Sequence, residues 1–131
     1  MERTAVNPWK WSLGIGFNQA ELIEGTRREL ICSGQTSMDG DGHPQHAGDM
    51  RAQVILAMDN LEAVLAGADM TLADVVRFNI YTTDVDELFA CYDVIAGRFG
   101  AAGVQPPCTL LGVTRLAFPE LMVELEATAA A

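Results

Sequence analysis

A single apolar stripe between residues 49 and 66 constrains this chain more than any other feature. Met50, Val54, Ala57, Met58, Leu61, Val64 and Leu65 recur at helical spacings of three, four and seven. Asp49 or Gly48 can open that helix and Gly67 can close it. A helix with one apolar face must bury it against a second layer.

The rest of the chain supplies strands for that layer. VVRFNIYTT, 75 to 83, alternates Val76, Phe78 and Ile80 against Arg77, Asn79 and Tyr81, the period of a strand. Asp84 can then cap a second helix with Leu88, Tyr92, Ile95 and Phe99 on one side, ended by GAAG. Two closing strands are predicted at 108 to 116 (CTLLGVTRL) and 121 to 129 (LMVELEATA), joined by AFPE. Upstream, residues 19 to 24 and RELICS (28 to 33) read as a hairpin about Gly25 and Thr26, with Leu30 and Cys32 facing opposite to Ile31 and Ser33. The stretch from 36 to 47, TSMDGDGHPQHA, is a surface loop.

Strands, helix, strand, helix and two strands make an α+β layer, one mixed sheet with two helices on one face. Its other face stays uncovered within one chain, and an apolar face left so would need a partner. The 131 residues suit one domain, 1 to 131. Apolar residues make up 50% of the chain, and counting glycine carries the fraction above the usual range of about 45 to 50%, which hints at a buried subunit interface.

Composition also excludes. A net charge of -10 repels a phosphate backbone, so nucleic acid is a poor partner. No apolar run suits a signal peptide or a membrane span, which leads us to expect a soluble, cytoplasmic protein. Three cysteines, Cys32, Cys91 and Cys108, lack C-x-x-C spacing and read as free thiols. Asp39, Asp41, His43 and His46 offer metal ligands within a short run, but without an EF-hand's later glutamate or a finger's paired cysteines a turn is favoured; no metal and no cofactor are expected. Trp9, Trp11 and the Met-rich helix read as packing.

SGQ at 33 to 35, the long helix with Gln53 and Asn60-Leu61, GADMTLADVVRFNIYTTD at 67 to 84, the aromatic helix, and Pro106 leading towards VELEATA together resemble the Rid (YjgF) family of enamine and imine deaminases. The likeness spans nearly the whole chain. It implies a chorismate-mutase-like fold and a homotrimer with three clefts between neighbouring subunits. In the deaminating branch an arginine at the start of the penultimate strand grips the substrate carboxylate, and a glutamate in the last strand assists water attack. Those positions fall on Cys108 and Glu124. Phe17 stands where a tyrosine is common, and Tyr92 near a common asparagine.

A thiol cannot form the two parallel charge-assisted hydrogen bonds of a guanidinium fork. Arg115 is no ready substitute, since an odd step of seven residues in an unbroken strand turns it away from Cys108. Glu124 is the candidate acid and base, because a half-buried carboxyl with a raised pKa can activate water and protonate a leaving nitrogen. The plainer reading puts Glu124 and Glu126 on a solvated sheet face. Cys108 reads as pocket lining rather than nucleophile, for the two histidines lie far along the chain. Thr109, Ser33 and the backbone at Gly34 can offer hydrogen bonds to a neutral ligand.

Two function classes follow. One is hydrolysis of a small enamine or imine; the other is a trimeric small-molecule binder using the same clefts without turnover. Ribonuclease activity, attached to relatives, is disfavoured by the acidic charge.

Overall fold

A computed structural model describes residues 1–131. The elements run β1 (Glu2–Val6), β2 (Ala20–Glu24), β3 (Glu29–Ile31), β4 (Gln35–Thr36), α1 (Met50–Ala66), β5 (Val75–Thr82), α2 (Val85–Ala90), α3 (Tyr92–Ala101), β6 (Cys108–Gly112) and β7 (Val123–Ala130). The main sheet has the order β3-β7-β5-β6, with β4 also paired to β7. Only β5 and β6 are parallel, and a parallel pair needs a crossover, here α2 and α3. β7 runs antiparallel to β5, β3 and β4. The fold is α+β with a mixed sheet.

The stripe on α1 behaves as its spacing requires. Val54, Ala57, Met58, Leu61 and Leu65 are fully buried against Phe78, Ile80, Val123 and Leu125 of the sheet. Asp49 caps the helix by accepting from the Ala52 amide at 3.0 Å. The helix stops at Gly67, yet Gly67 keeps a right-handed φ of -61°; the left-handed residue that turns the chain is Asp69, at 56°. Beside the apolar stripe, fully buried Gln53 donates to the carbonyls of His46 and Glu120 and accepts from the Met122 amide. Every polar group of that side chain is used, which fixes the entry of β7 and therefore the height of Glu124 on the sheet.

Four expectations change. β2 does not pair with β3. It forms a separate ribbon with β1, held to the main body by Arg3, which bonds Glu21 and the carbonyls of Ala73 and Val75. Gly25, at φ 69°, still turns the chain, but from one sheet to the other. β1 has no apolar alternation to announce it, since ERTAV is mostly exposed. The aromatic helix is two helices, broken at Cys91 (φ -112°, ψ 5°). β6 ends at Gly112 rather than at 116, and β5 lies between β6 and β7, so the AFPE connection joins strands that are not neighbours.

The fourth concerns the face away from the helices. It is open, as expected, but largely polar: Arg77, Asn79, Tyr81, Thr109, Glu124, Glu126 and Thr128 occupy it by strand alternation and pairing. Apolar side chains stand at its edges, Ile31 70% exposed and Leu111 50% exposed.

Candidate functional site

Strand register decides where the two most informative side chains go. Cys108 lies opposite Phe78 in the parallel pair β5–β6, and Phe78 points into the core. Glu124 lies opposite Tyr81, three residues further along β5 and therefore on the other face. Cys108 and Glu124 of one chain thus occupy separate environments. A single groove in one chain holding both is not what the fold builds.

On the helix side, Cys108 and Leu110 floor a hollow of about 230 Å³. Its walls are Trp11, Ile15, Phe17, Ile80, Phe89 and Tyr92. Two aromatic pairs form these walls edge to face: Trp11 with Phe17 at 5.8 Å and Phe89 with Tyr92 at 6.5 Å. The turn carrying Trp11 and Phe17 is docked onto the approach to β6, with the Asn18 amide donating to Gln105 O at 2.9 Å and Gln105 Nε2 to Leu13 O at 3.3 Å. Burial pushes the Cys108 thiol up to about 11, against the smaller opposing influence of the Arg77 charge. Burial first, and Cys108 second, push the Tyr92 phenol up to about 12. Both groups are neutral near pH 7, and an un-ionised thiol is not a nucleophile.

On the open side, Glu124 and Glu126 sit two residues apart with opposite electrostatics. Glu126 accepts from Asn79 Nδ2 at 2.8 Å and from the Tyr81 hydroxyl at 2.9 Å, and these bonds hold its carboxyl below the ordinary glutamate range. Glu124 has no such donor. Burial, and then the charge of Glu126, push its carboxyl above that range. The two carboxyls are thus driven in opposite directions. Both glutamates do lie on the open sheet face, as the plainer reading has it, but their surroundings differ.

Glu124 rests against the backbone of Gly34: a Cβ there would stand 2.7 Å from the Glu124 carboxyl carbon and 2.9 Å from its Cγ. Ser33 and Gly34 lie between β3 and β4, both of which pair with β7, which brings them beside the glutamate.

The expected site residues therefore separate into two groups. Phe17, Tyr92 and Cys108 share the apolar hollow, while Ser33, Gly34 and Glu124 share the open face. Thr109 joins the open face rather than the hollow. It faces away from Cys108 and accepts from Arg77 Nη2 at 2.6 Å. Arg115 lies beyond the end of β6, so the strand-parity reasoning does not apply to it; it lines a different hollow with Thr83, Phe118 and Met122. Sequence reasoning overlooked Arg77, the cation of the open face, although its alternation with Phe78 placed it there. Trp11, read as packing, is 62% exposed at the mouth of the Cys108 hollow. Asp39, Asp41 and His43 bring ligand atoms within 4.8 Å of one another, while Asp39 closes its own loop by accepting from the Asp41 and His43 amides. No helix is long and apolar enough to cross a membrane.

With this geometry in hand, the likeness to known proteins is informative. The family model described as Endoribonuclease L-PSP matches residues 16–131. The RutC family protein YjgH of Escherichia coli is 36% identical over 118 residues, 89% of this chain and 88% of that protein. The mitochondrial protein mmf2 of Schizosaccharomyces pombe is 35% identical over 95 residues, 72% of this chain and 71% of its own. Among solved structures, YyfB of Yersinia pestis, described as a protein of unknown function of the conserved Rid family, superposes with a TM-score of 0.89 at 32% identity, covering 100% of both chains.

Proposed function

The chain belongs to the Rid (RutC, L-PSP) family, and from that premise we propose that it hydrolyses a small enamine or imine in a cleft between subunits of a homotrimer. In this reading the Cys108 hollow of one chain faces the Glu124 edge of its neighbour. Several features support an intermolecular cleft: the two half-sites lie on opposite faces of one sheet, and each is rimmed by exposed apolar side chains, Trp11 and Phe89 on one side and Ile31 and Leu111 on the other.

The chemistry needs one proton carrier. Ionised Glu124 takes a proton from water as the water oxygen bonds to the imine carbon. That proton passes to the nitrogen to give a carbinolamine; Glu124 then takes the hydroxyl proton and returns it to the nitrogen as the carbon–nitrogen bond breaks, so that a carbonyl compound and ammonia leave. An enamine first takes a proton at carbon to become the imine. The observation that carries this reading is the divergence of Glu124 from Glu126, which leaves one carboxyl primed for proton exchange beside a fixed anion.

The test generates an imine in place with an amino-acid oxidase, traps it with semicarbazide, and follows loss of semicarbazone when the protein is added. Acceleration that falls about 100-fold or more in Glu124→Ala supports the hydrolase, that being the ordinary share of a general acid–base residue. Absence of acceleration over charged and uncharged imines favours the second reading, a trimeric small-molecule binder without turnover. A hollow that offers neither a cation nor an ionised nucleophile speaks for that reading. RNA cleavage fits poorly, since the net charge is -10 and the open face presents two carboxyls.

A further inference from the structure

The hollow above Cys108 says something about what it holds. All eight residues lining it are apolar or aromatic, and the polar side-chain atoms among them are the thiol, the Tyr92 hydroxyl and the Trp11 indole N–H, none of them charged. Arg77 projects from the opposite face and donates to Thr109. Arg115 lines another hollow. A carboxylate placed against Cys108 would lose its water and gain no positive partner, one of the costliest exchanges available to a small ligand. An apolar cavity of roughly 150 Å³ suffices for benzene, so about 230 Å³ accommodates a ring with a short substituent. The walls suit such a ring, since the two aromatic pairs present both edges and faces, at interplanar angles of 83° and 61°.

We propose that this hollow binds the uncharged aromatic or branched hydrocarbon part of the ligand, so that the compound taken carries no carboxylate at the Cys108 end. The inference rests on reading the hollow as half of the cleft, but it names a class of ligand that an arginine in place of Cys108 would select against. Cys108 then acts as a small, neutral floor whose size sets the depth available to the ring.

The experiment is calorimetric titration of the full-length protein with indole and, separately, with indole-3-acetate. Indole should bind saturably at one per chain, with indole-3-acetate at least about tenfold weaker because its carboxylate must be desolvated without a partner. Phe89→Ala should weaken indole about three- to tenfold, the range of one lost aromatic contact. Phe89 is 56% exposed, so the variant should fold, and far-ultraviolet circular dichroism checks that. No saturable indole binding, equal or tighter binding of indole-3-acetate, or an affinity untouched in Phe89→Ala would each overturn the assignment. Binding is read without turnover. A protein that binds indole but hydrolyses no imine defeats the deaminase reading alone, and one that hydrolyses carboxylated imines while refusing indole defeats this inference alone.

Discussion

On the helix side of β5 and β6, Cys108 and Leu110 stand in a hollow without a formal charge, walled by four aromatic rings; one residue along, on the open side, Arg77, Thr109, Glu124 and Glu126 crowd a polar surface. In the hollow, burial pins the thiol and the phenol in their protonated forms. On the open side burial, and then the neighbouring anion, raise the Glu124 carboxyl, while two hydrogen-bond donors lower that of Glu126. A strand's period of two keeps a greasy wall and an acid apart while they share the same few residues of backbone. A chemistry that needs both must take them from two chains.

The strongest test of that comparison is complementation between two inactive proteins. Glu124→Gln keeps the hollow and loses the acid, and Cys108→Trp fills the hollow and keeps the acid. Each alone should fall to about 1% of wild-type hydrolysis or less. Unfolded together and refolded, they should recover about a quarter of wild-type activity, because chance assortment in a ring gives that share of clefts an intact Cys108 side and an intact Glu124 side. No recovery, with mixed trimers verified by mass spectrometry, would mean that the halves never meet.

Much of this was legible in the chain. The stripe on α1 and the alternation of 75 to 83 and 121 to 129 foretold the layers, because a one-sided helix and a half-buried strand leave distinct periods. The parity of Cys108 within its strand could be read, but its face could not. That depends on which strand it pairs with and in what register, a tertiary choice that no local pattern carries. The false hairpin at Gly25 has the same origin: a turn residue shows that the chain turns, not which sheet receives the next strand. The lowering of the Glu126 carboxyl was also invisible, since it comes from Asn79 and Tyr81, forty-seven and forty-five residues away.

A smaller effect is expected on exchanging the character of the hollow. Cys108→Arg should raise turnover of carboxylated imines about tenfold, the worth of one added charge-assisted contact, while lowering the affinity for indole. Stacking of the guanidinium on Tyr92 or Phe17 is a ready way for the fold to tolerate the charge. Unchanged selectivity, measured as kcat/KM for carboxylated against uncharged imines, would show that position 108 does not touch the ligand.

The smallest effect separates the two glutamates by the sign of their influence on stability. Glu126 has a folded pKa below its unfolded one, so the unfolded chain binds more protons; its contribution is present above the unfolded value and is lost as pH falls through the folded one. Glu124 has the opposite shift, so its contribution is complete below the unfolded value and disappears as pH rises through the folded one. Urea midpoints across the acid range should therefore show Glu126→Gln removing a decline on the low-pH side and Glu124→Gln removing one on the high-pH side. Each change should be under about 1 kcal/mol, because solvent screens groups on an open face. An association that buries this face should enlarge the Glu124 effect with protein concentration, because desolvation already raises that carboxyl and a neighbour would deepen it. A profile independent of concentration would instead leave Glu124 facing water in the assembled protein, and the intermolecular cleft would lose its acid.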